Sequence, residues 1–290
     1  MVLVISHSGF HPGFKLLDFK NSIVLKDKNK WRELTLLNRL KIALRFKVVH
    51  YFWGRTSFLE ILIILILGRK VILHFIGSDV LMVTKSKSKQ LKTKLFMFLG
   101  AEILVVHKNL KNELNEVGID SKVLEFVNRK IEEYPEIIPK KFSVLVYVPE
   151  GKEKFYNLKI IEETAKIFNE IKFHIFPYNS KFLLKNMIAE KPVEHNKVIE
   201  LINKHKLFVR IPKHDGLPNT MIEALLCARY VVWSFEHPFV YKANSVDELS
   251  EVIKEVKKKS ELNIEGKKYV LKNYNTETIK QKYKYLWELN

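Results

Sequence analysis

Short runs rich in β-branched residues alternate with amphipathic helical segments along most of the chain. In the first series the strand-like runs are Val2–Ser6, Ser22–Leu25, Lys47–Phe52, Lys70–Ile76, Glu102–Val106 and Lys122–Phe126, and helical patterns lie near 30–46, 57–67, 86–99 and 108–117. In the second the runs are Ser143–Val148, Lys172–Phe176, Leu207–Ile211, Tyr230–Ser234 and Val240–Tyr241, with helical patterns near 157–170, 195–205, 218–228, 245–258 and 262–272. Such alternation is typical of parallel sheets covered by helices. The sequence therefore predicts an α/β protein built from two similar, doubly wound halves.

The two series are separated by a segment with the composition of a linker. Residues 129–141 contain prolines and many charged residues, which suit a connection better than a helix or strand. A chain of 290 residues is also long enough for about two domains. We therefore predict one domain over residues 1–135, a second over residues 136–275 and a terminal helix over residues 276–290.

A second constraint comes from residues 215–234, where two carboxylates flank a turn that opens a helix. Gly216 frees the backbone of this turn, and Pro218 suits the first helical position. The early amides of such a helix bind phosphate. Asp215 precedes the helix and Glu223 lies in its second turn, so both are placed to accept hydrogen bonds from sugar hydroxyls beside a bound diphosphate. The alternative is an ordinary core helix with an acid near its start and an apolar stripe.

This segment resembles the carboxylate pair of retaining glycosyltransferases of the GT-B fold, family 4. The family pattern is Glu-Gly-x-x-x-x-x-x-Glu-Ala, followed by small residues and a Val-Val strand. Two departures are Asp215, one methylene shorter than the usual Glu, and Ala228, which stands where the family has Gly. The positions that match are Gly216, Pro218, Glu223, Ala224, Leu225, Cys227, Val231 and Val232.

The resemblance implies two Rossmann-like domains facing across a cleft, an acceptor-side domain first and a donor-nucleotide domain second. The terminal helix would cross back to the first domain. It also implies transfer of a sugar from a nucleoside-diphosphate sugar to an acceptor hydroxyl, in a glycan or a lipid-linked acceptor, with retained anomeric configuration. Glu223 would orient the nucleotide ribose and Asp215 the hydroxyls of the donor sugar.

Further donor contacts follow from the same resemblance. Relatives carry an Arg and a Lys after the first strand of the second domain, where this chain offers only Lys152 or Lys154. The other residues expected around the donor are Gly9, Arg210, His214, Gly216, Leu217, Pro218, Asn219 and Thr220. In relatives a catalytic His often precedes Gly-Ser-Asp, but here that place is taken by Ile76. His74, two residues earlier on the same strand face, is the candidate substitute, and the alternative is that it only packs.

The charge of the chain favours a polyanionic partner, since its formal net charge is +18. Candidates are phosphorylated small molecules, an anionic membrane face and nucleic acid. A simple lysine-rich solvated surface is the alternative. Residues 30–47 read either as a cationic amphipathic helix that docks on lipid or as a helix packed on the sheet with a basic outer face. The run Lys85, Lys87, Lys89, Lys92 and Lys94 contains no acid.

Several functional classes are disfavoured. No two aspartates are two residues apart, which argues against a metal-dependent GT-A transferase, so neither a metal nor another cofactor is expected. The single cysteine, Cys227, excludes an internal disulfide. No secretory signal is evident, and the apolar stretch Phe58–Leu67 contains Glu60 and is too short to cross a bilayer. A cytoplasmic protein, peripheral at the inner face of the membrane, is expected.

Two other functions remain as alternatives. The shortened Asp215, Ile76 in place of the histidine and the missing Arg would suit a catalytically silent GT-B-like protein that binds a partner or sugar nucleotide without turnover. An RNA-binding protein is favoured only by charge and ranks last, because aromatic residues interleaved with Arg are not evident.

Overall fold

A computed structural model describes residues 1–5, 22–25, 31, 33–52, 57–125, 127 and 131–287, with the side chains of 22–25 excepted. These residues form two compact units. The first consists of Met1–Lys130, Asp215–Leu217 and Thr276–Asn290, and the second of Ile131–His214 and Pro218–Asn275. Gly9 and the whole of 6–13 lie outside the described residues, as do 53–56.

The first unit contains a parallel sheet flanked by helices. Its strand order is β2-β1-β3-β4-β5-β6, and every pairing is parallel. The elements are β1 (Val2–Ile5), β2 (Ser22–Leu25), α1 (Leu36–Ala43), β3 (Val48–Phe52), α2 (Phe58–Ile66), β4 (Lys70–Phe75), α3 (Ser78–Thr84), α4 (Lys87–Phe98), β5 (Glu102–Val105), α5 (Lys108–Glu116) and β6 (Lys122–Val123). All residues of β1 and β3 are buried, as expected of strands covered on both faces.

The second unit repeats this architecture with strand order β12-β11-β10-β7-β8-β9, again all parallel. Its elements are β7 (Ser143–Tyr147), α6 (Leu158–Ile167), β8 (Lys172–Phe176), β9 (Met187–Ala189), α7 (His195–Asn203), β10 (Leu207–Arg210), α8 (Asn219–Leu226), β11 (Tyr230–Trp233), β12 (Tyr241–Lys242), α9 (Val246–Lys258) and α10 (Ile264–Asn273). Its core packs the apolar faces of α6 and α9 against the central strands. The prediction of two doubly wound α/β halves is confirmed.

A last helix, α11 (Thr276–Leu286), belongs to the first unit. Tyr283 is fully buried, and Trp287, just beyond the helix, donates a hydrogen bond from Nε1 to Nδ1 of His50 at 3.0 Å. The Lys70 ammonium donates to the carbonyl oxygen of Leu286 at 3.1 Å. Two aromatic anchors and one capping lysine thus fix the end of the helix on strands β3 and β4.

The structure also differs from the sequence-based expectations at several places. Helix α3 and strand β9 were not predicted, and α1 begins at Leu36 within the predicted helix 30–46. Pro218 is the N-cap of α8 and not its first helical residue. Among the described residues, no helix is both long enough and apolar enough to span a bilayer.

Candidate functional site

The loops that follow strands β7, β10 and β11 of the second unit are joined to one another. The amide of Lys213 donates to the Phe155 carbonyl at 2.9 Å, and Nδ2 of Asn157 donates to the Ile211 carbonyl at 3.1 Å. The Ser234 hydroxyl donates to the Pro212 carbonyl at 2.7 Å. Because these strands are parallel neighbours, their loops gather at one edge of the sheet. This is the edge where doubly wound sheets bind ligands.

Arg210 is the last residue of β10 and is held by two tyrosines at this edge. Its guanidinium carbon lies 4.4 Å from the ring centroid of Tyr147 and 5.2 Å from that of Tyr156. Its Nη2 donates to the Tyr156 hydroxyl at 3.4 Å. Tyr147 ends β7, which pairs with β10, so the strand register brings the cation and the ring together. The residue is only 8% exposed, so a guanidinium is fixed at the rim of the sheet.

The other predicted cations on these loops have different environments. Lys152 and Lys154 are exposed on the turn after β7. His214 is buried and Lys213 is exposed on the segment after β10. The hydrogen bond between Phe155 and Lys213 fixes these two loops side by side, so the exposed Lys152, Lys154 and Lys213 lie on adjacent loops, together with the carboxylates of Glu150 and Glu153.

Helix α8 begins at Asn219, directly after its N-cap Pro218. The carbonyl of Pro218 accepts hydrogen bonds from the amides of Met221 at 3.1 Å and Ile222 at 3.3 Å. The amides of Asn219 and Thr220 have no acceptor within the helix, as is true of the first amides of every helix. Both residues are half-buried, and Oγ1 of Thr220 has no hydrogen-bond partner among the described residues. The helix therefore starts with amide donors of the kind that bind phosphate, while the Thr220 hydroxyl is buried beside them.

Glu223 lies one turn further along α8 and is 3% exposed. Its Oε1 lies 3.5 Å from Nε2 of His195, the first residue of α7, whose side chain is 44% exposed. A buried carboxylate is thus placed next to a histidine that solvent can reach. His195 was not predicted, because its contact with Glu223 joins two helices that are distant in sequence, and no local spacing signals it.

Asp215, Gly216 and Leu217 belong to the first unit. Nδ2 of Asn109, in the first turn of α5, donates to the Asp215 carbonyl at 2.7 Å. Asp215 is half-buried, and its Oδ1 accepts a hydrogen bond from the amide of Gly216 at 3.1 Å. A Cβ atom on Gly216 would collide with the carbonyl of Ile76, so only glycine fits there.

Asp79 holds the loop against which Gly216 packs. Its carboxylate accepts hydrogen bonds from the amides of Ile76, Gly77 and Val80 at 2.8–3.0 Å. Burial raises the pKa of Asp79, and these hydrogen bonds partly oppose the rise. Gly77 has a φ of 157°, which favours glycine. The Gly-Ser-Asp segment therefore acts as a rigid support for the loop at 216.

The structure places His74 in the core of the first unit and not at a ligand-binding surface. It is 0% exposed, stacks on His50 with ring centroids 5.5 Å apart, and its Nε2 lies 3.1 Å from the Leu124 carbonyl. Burial lowers the pKa of His74 to about 3. The rings of His50 and Phe52 and the Leu124 carbonyl enclose the imidazole within the core, so the assignment of His74 to catalysis is corrected in favour of the packing alternative.

The segment 30–47 packs against helix α2, whereas the packing alternative expected it on the sheet, and docking of its outer face on lipid stays a prediction. Helix α1 covers eight residues and packs against α2. Trp31 is buried, and its Nε1 donates to Glu60 at 3.0 Å, while Arg39 forms an ion pair with the same carboxylate at 2.7 Å. These contacts fix the segment to the body of the first unit.

Among the described residues, no group of three or more His, Cys, Asp or Glu side chains is arranged to hold a metal ion. Metal independence itself stays a prediction. Cys227 is buried, and burial raises the pKa of its thiol to about 12, so it is a core residue.

Comparison with solved structures finds related architectures at low sequence identity. HepE of Anabaena, solved in complex with UDP, matches with a TM-score of 0.68 and 11% identity over 99% of both chains. The N-terminal domain of a trehalose-6-phosphate phosphatase from Candida albicans matches with a TM-score of 0.65 and 9% identity, over 99% of this chain and 96% of that one.

TarM of S. aureus, solved with UDP among its ligands, matches with a TM-score of 0.55 and 15% identity over 82% of this chain. This chain spans about half of the TarM chain, 55%. No protein-family model matches the sequence, and no curated protein matches it. At these identities the likeness shows the fold alone, and that fold is GT-B, with two parallel-sheet α/β units.

Proposed function

We propose that this protein is a glycosyltransferase that moves a sugar from a nucleoside-diphosphate sugar to an acceptor hydroxyl with retained anomeric configuration. The observation that carries the proposal is Glu223, a buried carboxylate one turn into the helix that follows β10 and 3.5 Å from His195. Burying a carboxylate costs free energy unless a partner compensates. A helix that only packs in the core gains nothing from a buried carboxylate. A bound ligand with vicinal hydroxyls, in contrast, would donate hydrogen bonds to it.

The donor diphosphate would bind at the edge formed by the loops after β7 and β10. Arg210, fixed between Tyr147 and Tyr156, supplies the guanidinium that relatives carry on the preceding loop. Lys152 and Lys154 on the exposed turn add mobile cations, and the first amides of α8 add donors. Arg210 thus compensates for the arginine missing after β7.

The two acids of the motif would hold the two rings of the donor. Glu223 would accept hydrogen bonds from the ribose hydroxyls, with His195 keeping its carboxylate oriented. Asp215 would accept hydrogen bonds from hydroxyls of the donor sugar, since the residue is only partly buried and its backbone is anchored by Asn109. Carboxylates are strong acceptors for such hydroxyls.

In the reaction, the bond between the anomeric carbon and the diphosphate oxygen breaks, and a bond to the acceptor oxygen forms on the same face. The proton of the acceptor hydroxyl passes to the departing diphosphate oxygen. Negative charge builds up on the departing diphosphate. Fixed cations and helix amides stabilise that charge without reorganisation, which is an electrostatic mechanism. Arg210 is the fixed cation in the proposal, Lys152 and Lys154 add positive charge from the exposed turn, and neither a metal nor a cofactor is invoked. The acceptor would be a hydroxyl of a glycan or a lipid-linked glycan.

A second candidate is a GT-B protein that binds a sugar nucleotide without turnover. The burial of His74 favours it, because the histidine expected beside the donor is then missing at both 74 and 76. The same fold occurs in the N-terminal domain of a protein named as a phosphatase, so the fold does not fix the reaction.

One experiment separates the two candidates. The purified chain is heated with a panel of UDP-, GDP- and ADP-sugars, and release of the nucleoside diphosphate is followed for every donor that raises the melting temperature. UDP-sugars are tested first, since HepE was solved with UDP-glucose. Stabilisation with release supports the transferase, and stabilisation without release supports the silent protein. Absence of stabilisation by any donor contradicts both.

A further inference from the structure

Helix α4 carries an apolar stripe on its outer face. Leu91, Leu95 and Phe98 are spaced by four and three residues, so they lie on one side of the helix, and they are 71%, 38% and 87% exposed. The opposite side is buried through Thr93 and Phe96. Three large apolar side chains in one exposed row are unusual on a protein surface that contacts only water.

The same helix is strongly cationic. Lys87, Lys89, Lys92 and Lys94 are all exposed, as is Lys85 in the turn before the helix. No acidic residue occurs between Asp79 and Glu102, and Asp79 is buried. Lys87, Lys92 and Lys94 therefore flank the stripe, whereas Lys89 lies on the side of Thr93. No neighbour in sequence neutralises the charge of these lysines.

Helix α2, which packs against α4, also exposes apolar side chains. Leu59, Ile66 and Leu67 are 49%, 66% and 51% exposed, on the side opposite its buried residues Ile61 and Ile64. The two helices touch through Phe58 and Phe96, whose ring centroids are 5.3 Å apart, and Nζ of Lys92 lies 5.3 Å from the centroid of Phe58. We call the outer faces of α2 and α4, with Lys85, the α2–α4 surface.

We propose that the α2–α4 surface docks on an anionic lipid bilayer. Leucine and phenylalanine side chains would enter the acyl boundary while the lysines reach the phosphate groups, which is how cationic amphipathic helices bind at interfaces. A second copy of the chain fits less well, because a two-fold contact would place lysines against lysines. The surface is distinct from the segment 30–47, which the sequence suggested for this role, and the inference does not depend on glycosyl transfer.

The test is flotation of the purified full chain with vesicles. Phosphatidylcholine vesicles with about one-third phosphatidylglycerol are compared with pure phosphatidylcholine, at low and high salt. The chain is expected to float with the anionic vesicles only, and high salt is expected to weaken binding. The double variant Leu91→Ser with Phe98→Ser should lower the partition coefficient about tenfold or more. The triple variant Lys87→Gln with Lys92→Gln and Lys94→Gln should lower it by a similar factor.

Matched controls come from the second unit. Leu183→Ser changes a leucine that is also fully exposed, and Lys254→Gln with Lys257→Gln and Lys268→Gln removes the same net charge. Both controls should float like the wild type. The proposal is overturned if the wild type ignores anionic vesicles, if the Leu91/Phe98 variant floats unchanged, or if that variant instead dissolves a dimer of the wild type. All variants change exposed side chains, and an unchanged melting temperature verifies their fold.

Discussion

Nε2 of His195 lies 3.5 Å from Oε1 of Glu223, and this contact links the first turn of α7 to the second turn of α8. One side chain is almost half exposed and the other is buried, so the histidine stands between the carboxylate and solvent. We infer that His195 orients Glu223 toward the donor.

Replacing His195 by Ala should lower kcat/KM for the donor about tenfold, since the imidazole 3.5 Å from Oε1 of Glu223 would no longer hold that carboxylate in position. His174→Ala is the matched control, because His174 forms a similar pair with Glu190 at 2.6 Å in the same unit. That control should change stability and leave turnover intact. Equal losses in both variants would show that the effect of His195 is only structural.

Replacing Arg210 should weaken binding of the nucleoside diphosphate even when the new side chain keeps the positive charge. Lysine cannot stack a planar guanidinium on Tyr147 and Tyr156, so Arg210→Lys should weaken binding of the nucleoside diphosphate about tenfold. Lys213→Met, in the same segment but exposed, should have a much smaller effect. Titration calorimetry measures both, and an unchanged affinity in Arg210→Lys would remove this residue from the diphosphate site.

Gly216→Ala should destabilise the chain by about 1–3 kcal/mol, as overpacking usually does. The added methyl group would collide with the Ile76 carbonyl, which cannot move freely because Asp79 holds the amides on either side of it. Lys213→Ala, an exposed change three residues earlier, should stay within about 0.5 kcal/mol. Urea unfolding measures the free energy of unfolding of the two variants. Equal values would show that a methyl group at 216 does not collide with the Ile76 carbonyl.

The paired histidines of the first unit should make stability fall in acid. Burial lowers the pKa of His50 and lowers that of His74 to about 3, whereas an unfolded histidine titrates near 6.5. Between these values the unfolded chain binds more protons, so the free energy of unfolding rises with pH by about 1.4 kcal/mol per pH unit for each such histidine. The stability that the buried neutral histidines contribute is therefore lost as the pH falls from about 6.5 toward 3.

Comparison with His74→Phe isolates this contribution. The variant loses one titrating group, so its free energy of unfolding should depend less steeply on pH, whatever its absolute stability. Asp79, whose pKa is raised, changes the pH dependence of the free energy of unfolding in the opposite direction, but it does so equally in the wild type and in His74→Phe. Identical slopes in the wild type and the variant would mean that His74 is not held neutral.

Local patterns predicted most of the fold, because β-branched runs of four to six residues are distinctive. They did not predict β9, which is three residues long at a sheet edge, or α3, whose start depends on a glycine at φ 157° and on Asp79. Short elements owe their conformation to tertiary contacts, which composition does not reveal.

The candidate site divides in the same way. The turn at 215–220 and Glu223 follow from sequence, since helix starts and turns have local signatures. The contact of His195 with Glu223 and the stacking of Arg210 on Tyr147 and Tyr156 depend on which elements become neighbours. Strand alternation gave the face of His74 but not its burial, since its neighbour His50 is covered by Trp287, far away in sequence.

The most direct test of the transferase is Glu223→Gln, which keeps the shape of a buried side chain and removes its charge. Release of nucleoside diphosphate from the best donor is measured for the wild type, for Glu223→Gln and for the exposed control Glu265→Gln, together with their melting temperatures. We predict that Glu223→Gln melts like a folded protein and loses turnover by about 100-fold or more, while Glu265→Gln is unaffected. Unchanged turnover in Glu223→Gln would contradict the proposed function.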